Sequence, residues 1–179
     1  MTDRKIEYYA KEYRNAIDVA RKEGQFISDK WFSKFPESCC GDTSYLLAEY
    51  LRTKGIETIW CSGQRGYETH AWLVVKDRRV NRPSPRINSF PKEVRNTMNR
   101  YGAELFRQEK EATRYLEMDL AKGLIIDITA DQFDDCDISV YVGYSNPFHC
   151  TFDFKEAQDY DGLKSERLES LYKKIEGFL

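Results

Sequence analysis

Three residues far apart in the chain have the types and settings that thiol chemistry needs: Cys40, His70 and Asp127. Cys40 sits where a helix should begin. Leu47, Tyr50 and Leu51 repeat at i, i+3 and i+4, widened by Leu46 and Ala48, and Gly55 with Arg52 and Lys54 supplies the ending. Gly41, Asp42, Thr43 and Ser44 offer capping groups at the front. Free backbone N–H groups and the positive end of the dipole there stabilise a thiolate, so Cys40 is a candidate nucleophile. His70 stands at the entrance to the apolar run Thr69–Val75, which reads as a central strand. Asp127 interrupts the most apolar strand pattern in the chain, Gly123–Thr129. An unpaired carboxylate there costs several kcal/mol, so it requires a partner. An imidazole that takes the thiol proton, steadied at its other nitrogen by a carboxylate, satisfies all three residues at once.

The elements that position them follow from the pattern. Ile6, Tyr9, Ala10, Tyr13, Ile17 and Ala20 predict an opening helix stopped by Gly24. Trp31, Phe32 and Phe35 lead into the cysteine helix. Residues 57–61 and 69–75 read as strands joined by a turn at Gly63-Gln64-Arg65-Gly66. Residues 76–86 are basic and proline-bearing, which fits a solvated hairpin tip better than a nucleic-acid contact, because aromatic stacking groups are missing. Residues 91–120 return to helical spacing as an insertion between the His70 and Asp127 strands. Those two strands are therefore expected to be antiparallel neighbours. Residues 138–144 read as a further strand, and Leu168, Leu171, Tyr172, Ile175 and Phe178 as a final helix.

Composition bounds the function. The chain has 179 residues, 41% of them hydrophobic and 14% aromatic. One domain of this size buries roughly 70% of its unfolded surface and folds without a metal or disulfide. The net charge of −2 provides no general attraction to nucleic acid or an anionic membrane, and no apolar run reaches the roughly 18 residues of a membrane span. Five cysteines, two of them adjacent, match no secreted framework, so a cytoplasmic location with reduced thiols is expected. The same cysteines with His70 and His149 form no CxxC or HxxxH pair, so no metal is expected. His149 is the competing base and Cys150 the competing thiol.

Cys40-Gly41-Asp42-Thr43-Ser44 leading to Gly55-Ile56, then His70-Ala71-Trp72 with Val74-Val75, then Ile126-Asp127-Ile128-Thr129, resembles the transglutaminase-like superfamily of papain-like cysteine enzymes. The register of that resemblance assigns the nucleophile to Cys40 rather than Cys39. It covers roughly residues 36–132 and implies an α+β fold, a nucleophile helix packed on an antiparallel sheet, with no metal or cofactor at the triad. Lys34 stands where papain-type enzymes place an oxyanion glutamine, and Ser38 where glycine is frequent two residues before the nucleophile. The backbone N–H of Cys40 supplies one oxyanion donor, and Gln64, Trp60 and Trp31 are candidates for the second. Trp31, Gln64, Trp72 and His149 are expected on the substrate side.

The resulting expectation is acyl transfer through a Cys40 thioester on a protein or peptide substrate, with water as the preferred acceptor. Transamidation, glutamine deamidation and a non-catalytic binding module on the same fold are the alternatives. Pathway and oligomeric state have no signature in the sequence.

Overall fold

The computed structural model describes residues 2–76, 123–144 and 146–179, all in one unit of the chain. The helical insertion expected at 91–120 and most of the basic stretch lie outside the described residues. Among the described residues three helices and five strands build an α+β architecture. Helix α1 spans Asp3–Lys22, α2 spans Cys40–Thr53 and α3 spans Glu166–Glu176. The strands are β1 (Thr58–Arg65), β2 (Glu68–Val75), β3 (Leu124–Asp127), β4 (Tyr141–Tyr144) and β5 (Asp153–Asp159). They form one antiparallel sheet in the order β4-β3-β2-β1-β5.

Helix α2 buries the stripe that its spacing predicts, Leu46, Leu47, Ala48, Tyr50 and Leu51. Gly55 follows it at φ +75°, a left-handed position that glycine occupies without strain. Tyr13 of α1 stacks on Tyr50 with centroids 5.0 Å apart, joining the two helices. The helices share their core with Leu73 of β2 and Ile126 of β3. These two residues face each other across the ladder, so the expected pairing of the His70 and Asp127 strands is found. Side chains alternate along a strand. His70, Trp72 and Asp127 consequently lie on the opposite face of the sheet from Leu73 and Ile126.

Several strand boundaries differ from the sequence reading, β3 keeping only Leu124–Asp127 of the expected 123–129, and one strand is additional. β1 continues through Gly63 and Gln64 to Arg65, and the tight turn is Gly66-Tyr67, with Gly66 at φ +59°. Gly63 serves close packing instead of turning. A Cβ there would lie 2.8 Å from Phe152 Cβ and 3.0 Å from Trp72 Cη2. β4 begins only at Tyr141. β5, with alternating charge and little apolar content, forms an edge that needs no apolar face, so hydrophobic periodicity does not mark it.

The segment after β3 is fixed from α1. The buried Arg14 guanidinium donates to Ile128 O at 2.7 Å, to Ser139 O at 3.2 Å, and to both carboxylate oxygens of Asp131 at 2.9 and 2.8 Å. Removing it leaves a largely buried carboxylate and two carbonyls without their donor. Arg14→Met should therefore lower stability by about 3–5 kcal/mol, read as a shift in the urea midpoint. An unchanged midpoint would contradict this role.

Candidate functional site

Cys39 and Cys40 occupy neighbouring positions and opposite electrostatic settings. Cys40 is the first residue of α2, at the end where backbone N–H groups lack intrahelical acceptors. Burial pushes its thiol up, but the His70 side chain, the Gln132 amide and the Ala71 backbone N–H together hold it below its usual value. Cys39 is buried, donates to Pro36 O at 3.2 Å and accepts from Thr43 Oγ1 at 3.6 Å. Burial pushes it up to about 12. Of the adjacent pair, Cys40 is the more acidic thiol. Burial also raises Cys136.

His70 is 1% exposed and Asp127 2%. Extending the β2–β3 register places Asp127 opposite Trp72, and His70 Nε2 then reaches Asp127 Oδ2 at 2.7 Å. Burial opposes the imidazolium, but the Asp127 charge and hydrogen bond outweigh it and lift His70 to about 9. Burial likewise opposes the Asp127 carboxylate, and the two histidines that reach it hold it far below the usual carboxylate range. Its other oxygen, Oδ1, accepts from Thr129 N–H at 2.9 Å and Thr129 Oγ1 at 3.2 Å. The second histidine is His149, from the short helical turn His149–Thr151. Its Nε2 lies 2.9 Å from the same Oδ2. Phe133, Phe148, Phe152 and Trp72 pack around the His70 ring, with centroids 5.1–5.8 Å away.

Gln132 completes the group, and the sequence reading did not single it out. It ends the short helical turn Ala130–Gln132 that the Arg14–Asp131 pair holds in place. Its Oε1 accepts the Ser38 N–H at 3.3 Å, which leaves Nε2 toward His70 Nδ1 at 3.1 Å and toward the Cys40 sulfur. Ser38 itself sits at φ 58°, so the site where glycine was expected does require a left-handed backbone. The spacing from Asp127 to Gln132 carries no periodic signal. Only the turn that brings position 132 back over His70 reveals it.

Of the residues expected on the substrate side, Trp72 and His149 pack beside His70, while Gln64 and Trp31 are engaged with their own neighbours. Gln64 donates to Gly66 O at 2.9 Å, closing its own hairpin turn. Trp31 is exposed, with Lys30 Nζ 4.6 Å above its ring. Trp60 pairs with Leu73 on the helix-packed face and stacks on Tyr45. Trp72 is buried, packed 5.3 Å from the His149 ring. His149, expected against substrate, is 5% exposed and bound to Asp127.

His70, Asp127 and His149 are also the group among the described residues whose ligand atoms are close enough for a metal ion, all within 4.8 Å. The distances of 2.7 and 2.9 Å to one carboxylate oxygen are those of direct hydrogen bonds, and Thr129 uses the remaining oxygen. The hydrogen-bonding positions of Asp127 are therefore filled by His70, His149 and Thr129. Among the described residues no helix is long and apolar enough to cross a membrane. Comparison with known proteins finds no matching family model, no matching curated protein and no matching solved structure.

Every lone pair of Asp127 has a donor, which decides how an amide behaves in its place. Asparagine keeps Thr129 satisfied only by turning its NH2 toward the histidines. His70 then shifts its proton to Nδ1, the ring nitrogen away from Asp127. Asp127→Asn should leave the circular dichroism spectrum unchanged and cut Cys40 reactivity at about pH 6 by roughly 10²-fold or more. A folded variant with undiminished reactivity would mean that His70 is oriented by another group.

Proposed function

We propose that this chain is a cysteine-dependent acyl-transfer enzyme of the transglutaminase-like, papain-like type, acting on a protein or peptide substrate and transferring the acyl group to water. The observation that carries the reading is the Cys40 thiol, held below its usual value at the start of α2 by His70, whose other nitrogen is bound to Asp127. The helix-on-antiparallel-sheet arrangement supports the same reading.

In this mechanism the Cys40 thiolate attacks the substrate carbonyl carbon. A C–S bond forms and the carbonyl π pair moves onto oxygen. The Cys40 backbone N–H and a Gln132 Nε2–H, the latter already directed toward the sulfur, stabilise that oxyanion. Collapse breaks the C–N bond, and the leaving amine takes a proton from His70 Nδ1. An imidazolium held near 9 carries that proton throughout the neutral range. Water then attacks the thioester, giving its proton to His70 while the thiolate departs. Asp127 remains ionised and holds the imidazole in register. An amine in place of water gives transamidation, and a glutamine side chain in place of the peptide bond gives deamidation.

The pH dependence has a definite sign. The His70 proton needed by the leaving amine is present below about 9 and lost above it, so amide turnover should fall as pH rises through about 9. Brief treatment with an iodoacetamide probe at about pH 6, followed by mass mapping, should modify Cys40 well ahead of Cys39, Cys61, Cys136 and Cys150. An activated aryl ester should acylate Cys40, and the adduct should be lost to water. Equal modification of all five thiols, with no acyl adduct on Cys40, would overturn the proposal.

A further inference from the structure

We propose that His149 is a positioning residue of this site, clamping Asp127 through Oδ2 and thereby setting how tightly the carboxylate holds the proton of His70. The inference rests on the reading of the site given above, and adds a fourth member to its hydrogen-bonded chain.

The geometry assigns the role. Asp127 has four acceptor positions and four donors: two from Thr129 on Oδ1, and the Nε2–H groups of His70 and His149 on Oδ2. The four donors come from three separate segments. His70 belongs to β2, Thr129 to the segment that continues β3, and His149 to a turn after β4. That turn is closed by Cys150 N–H on Asn146 O, Phe148 N–H on Asn146 Oδ1 and Phe152 N–H on His149 O. The carboxylate is therefore held in plane and rotation from both sides.

A purely packing role does not account for a histidine here. The ring lies among Trp72, Tyr141 and Phe148, with centroids 5.3–5.5 Å away, where phenylalanine would fit without cost. Histidine instead leaves Nδ1 buried with no hydrogen-bond partner, a penalty that an apolar ring avoids. The carboxylate partner also fixes the tautomer, because an ionised Oδ2 can only accept. The proton belongs on Nε2, facing Asp127.

Sharing one oxygen has a chemical consequence. Each donor to Oδ2 withdraws charge that would otherwise act on the other. His149 thus moderates the pull of Asp127 on the His70 proton, which the catalytic cycle must both hold and release. The titratable groups around His149 are Asp127, the His70 and Tyr141 rings, and the adjacent Cys150 thiol, which acts on Tyr141; Cys136 lies within the field of Asp127.

The test separates clamping from packing. In His149→Phe the ring volume stays and the donor is lost. The His70 midpoint, followed by histidine ring NMR, should rise by about one pH unit, and acyl turnover from an aryl ester should fall. His149→Gln, whose amide nitrogen can reach the same oxygen, should restore both toward the parent. A His70 midpoint unchanged in His149→Phe would overturn the proposal. If His149→Phe does not fold, the unmutated chain decides. Two low-field imidazole N–H signals should be present and should be lost together in Asp127→Asn, whereas a His149 signal insensitive to Asp127→Asn would overturn the proposal. Failure of the acyl-transfer reading looks different: Cys40 would take no acyl group, while both histidine signals would still report Asp127.

Discussion

A carboxylate sealed inside an apolar strand is the constraint on which the site depends. Asp127 lies between Ile126 and Ile128, whose side chains join the helix-packed core, and its own side chain faces the other way. Left alone it would protonate or unfold its strand. It stays ionised because β2 delivers one imidazole, the turn after β4 delivers another, and Thr129 closes the remaining oxygen. The sheet order places β3 between β2 and β4, so the topology itself brings these donors together. Phe152 and Trp72 pack closely over Gly63 on the same face of the sheet.

The charge fixed at Asp127 propagates outward. It lifts His70, and His70 lowers Cys40 against the opposing effect of burial. The comparison with Cys39 measures how local this is. One residue earlier in the chain, burial without a cationic neighbour of that kind drives a thiol in the other direction. Helix α2 contributes by presenting Cys40 at its N-terminus, and Ser44 Oγ, donating to Ala71 O at 3.2 Å, ties the first turn to β2. Arg14 works at longer range. By pinning Ile128 and Asp131 it holds the segment that carries Asp127 at one end and Gln132 at the other.

The legible parts of the sequence were those where a residue type conflicts with its surroundings or repeats with a period. Asp127 in an apolar run, Cys40 at a helix start and the stripe of α2 are of this kind, and the pairing of β2 with β3 follows from the partner that Asp127 needs. Residues placed by turns left no such mark. Gln132 and His149 reach the site from short helical turns, where neither the period of a helix nor that of a strand relates position to direction. Gln64 was weighed as a donor on its chemistry alone, whereas its amide is used by the Gly66 turn. β5 escaped notice because a charged edge strand lacks the alternation that marks a buried one.

His70, held charged by Asp127, draws the Cys40 thiol toward its thiolate form. The most direct measurement is the ultraviolet thiolate absorbance as a function of pH, taken as the difference between the unmutated chain and Cys40→Ser. The account predicts a thiolate signal that persists well below the ordinary thiol value of about 8.5 and that collapses in His70→Gln. A difference signal that titrates at the ordinary thiol value, or that is unaffected by His70→Gln, would contradict it.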